Sequence, residues 1–212
     1  MQLQSFSAAE IREMEQRYRV QFINSLSGFK SVNLVGTVDA RGHTNLSIVN
    51  SVIHIGANPP LMGFILRPIT VARDTHDNIM ATGHYTFNHL TEAIYKQAHQ
   101  TSARYPSEVS EFDATGLTPA FEGDFPAPYV AESPVRIGLK LREKMEIPLN
   151  GTLLMIGEIV EVWTGADCIA PDGYVDIERA GSIACSGLDG YHRTTQLARL
   201  SYAKVDREAR EL

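Results

Sequence analysis

The sequence predicts a mainly β protein, an antiparallel barrel with added helices, and three observations carry that prediction. The segment VRIGLKLREKMEI alternates, so that Val135, Ile137, Leu139 and Leu141 share one face of a strand. A second apolar run, TLLMIGEIVEVW, follows directly after Asn150-Gly151, a dipeptide that signals a hairpin when it lies between apolar strands. Strand-like pieces outnumber helical ones and do not alternate with them, which argues against βαβ units and a parallel sheet.

Composition fits such a fold. The 212 residues are 43% hydrophobic and 21% charged, a globular balance that can bury a sizeable core. No repeat or low-complexity segment divides residues 1–212, so one domain is expected. A net charge of −6 argues against a general nucleic-acid surface while allowing a local basic pocket. The opening MQLQSFSAAEIREMEQRYRV carries charges where a signal peptide needs an apolar centre. No apolar run approaches the roughly 18 residues of a membrane span, so a cytoplasmic protein with no membrane partner is expected. Cys168 and Cys185 form no CxxC pair and read as buried or half-buried free thiols.

The elements follow in order. Ser7 and Glu10 are spaced as a capping box, and Ile11, Met14, Tyr18, Phe22 and Leu26 continue as one helical stripe ending near Ser27 and Gly28. This N-terminal helix, within residues 1–27, needs a partner surface on its own barrel or on a second subunit. SVNLVGTVD, the turn DARGHT and NLSIVNSVIHIG then read as a hairpin. Asn58-Pro59-Pro60 interrupts the ladder, because proline donates no backbone hydrogen bond. LMGFILRP is the next strand and ends at Arg67. In DTHDNIMATGHYTFNHL a short helix capped at Asp74 or Thr75 precedes a strand around Tyr85 to Asn88. TEAIYKQAHQTSARY predicts a longer helix with Ala93, Ile94, Ala98 and Tyr105 inward. Residues 103–134, rich in Pro, Gly, Asp and Glu, are expected to form an excursion over the barrel surface, placed to act as a lid.

The chemistry is narrower. There is no GxxxxGK[ST], no GxGxxG between a strand and a helix, and no GxSxG elbow, which sets aside P-loop, Rossmann and α/β-hydrolase readings. His84 and His89 lie five apart on a predicted strand, hence on opposite faces, and no metal site is expected from them. His54, inside VIHIG, reads as a hydrogen-bonded core or pocket histidine. The informative stretch is GHTNLSIVNSVIHIGANPP, which keeps Asn45, Ser47, Asn50 and Ser51 inside an apolar run. A buried amide or hydroxyl without a partner costs about 1–3 kcal/mol, so something polar must answer these groups. On an unbroken strand Asn45, Ser47 and Ser51 share a face, fit to meet a polar planar ligand, with Asn50 on the other. Arg67 ends the following strand, and Arg73 stands just before the helix start at Asp74-Thr75, where backbone amides and an arginine together suit a phosphate.

The run VGTVDARGHTNLSIVNSVIHIGANPPLMGFILRP, with RDTHDNIMATGHYTFNHL after it, resembles the flavin reductase-like, FMN-binding split-barrel family. The resemblance continues through SEFDATGL, AESPVRIGLKL, LLMIGEIVEV and DGYVD, and so spans most of residues 25–200. It implies a six-stranded antiparallel Greek-key split barrel, a homodimer with sites near the subunit interface, and non-covalent FMN in preference to FAD. By matching positions it implies that Asn45, Leu46, Ser47, Asn50, Ser51 and Val52 line the flavin. Arg67, Arg73, Thr75 and Asn78 would lie by its phosphate and ribityl chain, and Tyr191 near the site. The activity implied is an NAD(P)H-dependent FMN reductase, of the kind that serves as reductase component to a monooxygenase, with no catalytic acid or base assigned. The alternatives are an FMN-binding electron carrier without nicotinamide activity and a flavin-free interaction module.

Overall fold

The period-2 pattern builds the core directly. The computed structural model describes residues 1–68 and 73–212. In chain order its helices are α1 (Ala8–Glu13), α2 (Gln16–Leu26), α3 (Asp74–Thr82), α4 (Tyr95–Gln100) and α5 (Glu111–Thr115). Its strands are β1 (Lys30–Ser31), β2 (Asn33–Val38), β3 (Thr44–Val49), β4 (Ile53–Ala57), β5 (Pro60–Leu66), β6 (His84–His89), β7 (Pro119–Ala120), β8 (Tyr129–Val130), β9 (Val135–Ile147), β10 (Thr152–Thr164), β11 (Ala184–Ser186) and β12 (Gly190–His192). Seven strands make the main antiparallel sheet, in the order β3-β2-β6-β9-β10-β5-β4. Alternate residues Val35, Phe64, Tyr85, Phe87, Ile137, Leu139 and Met155 fill its inner face. Leu34 and Leu46 point the other way, into a second cluster with Leu90, Ile94, Phe112, Leu117 and Val130. Residues 103–134 supply three members of that outer cluster, Phe112 on α5, Leu117 just after it and Val130 on β8, and so pack against β2 and β3.

The two ends of the strand order are neighbours in sequence, with only residues 50–52 between β3 and β4. The sheet therefore rolls up. Ile53 pairs with Gly63, so Ser51 falls opposite Ile65 in the same register. There the Ser51 hydroxyl accepts the Ile65 N–H at 3.0 Å and donates to the Ile65 carbonyl at 3.1 Å, continuing the ladder by a side chain.

The mainly β barrel is as the sequence predicts, but the main sheet has seven strands where six are implied. NLSIVNSVIHIG, expected as one strand, is two, because the chain leaves the ladder at Asn50. Asn58-Pro59 forms the turn between β4 and β5, with Pro60 tolerated as the first residue of a strand. The face shared by Asn45 and Ser47 therefore does not extend to Ser51, and His54 is exposed on β4 instead of lying in the core or a pocket. The N-terminal helix is also two. The Ser7–Glu10 capping box forms, but Met14 takes an extended conformation and Glu15 caps α2 afresh. Neither helix buries a residue. α4 is shorter than expected, with Ile94 and Ala98 buried and Ala93 exposed. Among the described residues no helix is long and apolar enough to cross a membrane.

Candidate functional site

One end of the barrel carries the polar residues that the sequence singles out. The β2–β3 turn is fixed by Asp39, whose carboxylate accepts the Arg41 and His43 N–H groups at 2.8 Å each, with Gly42 at φ +90°. The His43 amide is the main reason that the Asp39 carboxyl sits below its usual range. This turn sets Thr37 directly opposite Asn45, both on the parity of Val35 and so toward the barrel interior.

Helix α3 lies over that end. Gly83 stops it in the left-handed conformation, and Ile79 inserts into the inner core. Thr75 and Asn78, three apart and both buried, occupy one face. Asn45 Nδ2 donates to Thr37 Oγ1 and to Thr75 Oγ1, each at 3.0 Å. Thr75 Oγ1 donates to Ser47 Oγ at 2.9 Å, and Asn78 Nδ2 to Thr37 Oγ1 at 3.2 Å. Helix and hairpin thus share one buried network, which answers part of the polarity of the NLSIVNS run within the protein itself. It is not closed. The amide oxygens of Asn45 and Asn78, and the hydroxyl proton of Ser47, have no partner among the described residues.

The surroundings divide by charge. On one side Asp39, Asp74 and Glu111 line a small recess with Asn45 and Asn78, and burial raises the Glu111 carboxyl. An anion is repelled there. The start of α3 differs. Its N-cap is Arg73, which makes no side-chain capping bond, so the first-turn amides have no side-chain partner among the described residues. Arg73 Nε is buried without a partner among the described residues, and so is Nε2 of His76.

The other predicted residues are dispersed around this centre. Leu46 turns its side chain into the outer core, and its N–H donates to Glu111 Oε2 at 2.9 Å, so neither group faces the network. Ser51 is committed to Ile65, and Val52 packs on the inner core. Asn50 Nδ2 donates to the Gly187 carbonyl at 3.0 Å and so holds the turn between β11 and β12. Arg67 is exposed just past β5. Tyr191, on β12, hydrogen-bonds His99 Nδ1 at 2.8 Å, and burial pushes its hydroxyl up to about 12. Thr37, His76 and Glu111 belong to the site and were not foreseen. The DARGHT turn carried a signal for Thr37, since its register sets that residue opposite Asn45.

Residues 26–179 match the family model described as flavin reductase like domain. A candidate flavin reductase with split barrel domain from Shewanella frigidimarina NCIMB 400 is 54% identical, with 94% of this chain and 100% of that one covered and a TM-score of 0.91. Nitrilotriacetate monooxygenase component B from Bacillus cereus superposes with a TM-score of 0.82 at 20% identity, over 94% of this chain and 100% of that one, a likeness of fold. Flavoredoxin of Desulfovibrio vulgaris (Miyazaki F) is 26% identical, with a TM-score of 0.69 over 84% of this chain and 91% of that one. A relative from Aquifex aeolicus (strain VF5), 24% identical over 131 residues, is matched over 61% of this chain and 66% of its own length.

Proposed function

The chain belongs to the flavin reductase like family, and from that premise we propose that it binds FMN and acts as an NAD(P)H-dependent flavin reductase. The observation that carries the reading is the meeting of Asn45, Ser47, Thr75 and Asn78 in one buried network beside an α3 start that has no side-chain cap and an arginine at its N-cap. Amides, hydroxyls and a helix N-terminus with a cation are what a polar ring system with a phosphate tail requires.

In this reading Arg73 and the first-turn amides of α3 receive the phosphate, and Arg67 approaches it from the end of β5. Ser47, Asn45 and Asn78 offer their unused polar groups to the ribityl chain and ring. Asn50, Ser51, Leu46 and Val52 hold the frame: they tie the strand edges, the β11–β12 turn and the two cores together around the network. The acidic recess keeps the phosphate to the Arg73 side. When bound, FMN supplies the redox chemistry, hydride from a nicotinamide being taken up and passed onward, and the protein supplies position and electrostatics.

The reading includes a homodimer. Ile53, Ile55, Val160, Val162 and Trp163 are all exposed on β4 and β10, and their apolar side chains are available to a second copy of the chain. Light scattering on the purified chain is expected to give twice the monomer mass.

The deciding experiment mixes the protein, FMN, and NADH or NADPH. Oxidation of either nucleotide with bleaching of the flavin supports the reductase. The likeness to flavoredoxin favours a second reading, an FMN-binding electron carrier, which predicts a retained flavin that dithionite reduces and neither nucleotide does.

A further inference from the structure

The recess beside the buried network gathers negative charge that the flavin reading does not use. Its walls come from three separate segments: Asp39 from the β2–β3 turn, Asp74 from the first turn of α3 and Glu111 from the first turn of α5. Each wall is fixed in place. Asp39 is held by the Arg41 and His43 amides, while α5 is tied to β3 by Glu111 on the Leu46 N–H at 2.9 Å and by the Ser110 and Thr44 hydroxyls at 2.8 Å. The free volume is about 90 Å³, several times the roughly 10–15 Å³ that one water needs. Burial first, and the charge of Asp74 after it, raise the Glu111 carboxyl, so these two acids sense one another. Among the lining residues the one basic side chain is His43, which is 68% exposed beside Asp39.

Carboxylates gathered at a surface are ordinarily met by water; two buried amides distinguish this recess. Asn45 and Asn78 both line it, and each is only 8% exposed. Their nitrogens face the network, Asn45 Nδ2 on Thr37 and Thr75 and Asn78 Nδ2 on Thr37. Because the oxygen and nitrogen of a planar amide point apart, this leaves the oxygens toward the recess, and neither has a donor among the described residues. The lining therefore offers acceptors and negative charge and asks for a cation with several N–H groups. A bare metal ion fits poorly: among the described residues no three His, Cys, Asp or Glu side chains come close enough to hold one. A guanidinium fits better, since its five donors fan out in a plane and reach acceptors that cannot converge on a point.

We propose that this recess binds a guanidinium group, with Asp39, Asp74 and Glu111 supplying the charge and the amide oxygens of Asn45 and Asn78 accepting its N–H groups. The inference goes beyond the flavin reading and does not depend on it: an amide oxygen carries two lone pairs, so the recess and a flavin can each engage one. The guanidinium belongs either to a small free molecule or to an arginine side chain of another protein surface, and the chemistry of recognition is the same.

The test is calorimetric titration of the full chain at low ionic strength, without flavin, using methylguanidinium, its neutral counterpart methylurea, and arginine blocked at both ends as the N-acetyl amide. Methylguanidinium is expected to bind saturably and methylurea not to bind. Tighter binding of the blocked arginine assigns the recess to a protein side chain, and weaker binding assigns it to a free guanidine. Asp74→Asn and Asp39→Asn, the second of which keeps an acceptor for the turn, are each expected to weaken methylguanidinium about 10-fold, as for one hydrogen bond to a charged group. A melting curve accompanies each variant, and if one fails to fold the other decides. Methylguanidinium that does not saturate, methylurea that binds equally well, or folded variants that bind like the wild type would each overturn the proposal and leave the flavin reading untouched.

Discussion

Replacing Asn45 by Ala tests whether the network under α3 holds the barrel end together. The substitution deletes two hydrogen bonds of 3.0 Å, to Thr37 Oγ1 and Thr75 Oγ1, at a position 8% exposed. Each such bond contributes about 0.5–1.5 kcal/mol net, so their sum is about 1–3 kcal/mol. Thr37 keeps its bond from Asn78 and Thr75 keeps Ser47, so neither hydroxyl is stranded and the middle of that range applies. At about 2 kcal/mol a chain of this size loses about 4–8 °C in Tm, readable by circular dichroism in the absence of flavin. Asn45→Asp is expected to cost more, because a carboxylate only accepts and would be buried beside Asp39, Asp74 and Glu111. Its deficit should shrink as the pH falls and the new carboxyl is protonated. An Asn45→Ala protein that melts with the wild type would refute the reasoning, since a network that costs nothing to cut does not hold α3 over the hairpin.

Three further outcomes follow from the structure. A Cβ on Gly157 would stand 2.3 Å from the hydroxyl oxygen of the fully buried Tyr85, so Gly157→Ala should destabilise by about 1–3 kcal/mol or more. Tyr85→Phe, which removes a hydroxyl with no partner among the described residues, should be near neutral and should rescue part of that loss in the double variant; additive effects in denaturant titrations would contradict this. Burial lowers the pKa of His89 from 6.5 to about 4, so the unfolded chain takes up the proton first. The stability that the neutral ring gives is therefore complete above pH 6.5 and lost toward pH 4, up to about 3 kcal/mol in all; a His89→Gln protein should lack that part of the pH dependence in urea midpoints. Ser51→Ala strands the N–H and carbonyl of Ile65 at the barrel seam and should cost about 1–3 kcal/mol, with faster amide exchange at Ile65 as the local signature; unchanged exchange would remove Ser51 from the seam.

Much of this fold was legible because one face of each strand is buried. The alternation in β9 and β10 gave two strands near their observed bounds, and Ser7 with Glu10 marked the first helix correctly. The break between β3 and β4 was not legible. Asn50-Ser51-Val52 carries neither Gly nor Pro, and Ser51 imitates a ladder residue by bonding Ile65 through its side chain. The N-terminal stripe kept its period through Met14 and gave no sign of the break there, because no buried surface constrains those helices. At the site, Asn45 and Ser47 were readable as polar residues on an inward parity, and Thr75 and Asn78 as one face of a helix start. Leu46 has the opposite parity, which is why its side chain belongs to the outer core. Glu111 lies 65 residues from the Leu46 amide that it caps, and no local pattern could announce that bond.

The measurement that bears most directly on the central claim is the visible absorption spectrum of the chain after incubation with FMN and removal of the excess. The account predicts retained flavin bands at one flavin per chain, diminished in Asn45→Ala and in Arg73→Ala. A wild-type protein that comes through colourless would contradict it, leaving the open groups of Asn45, Asn78 and Ser47 without a ligand to meet.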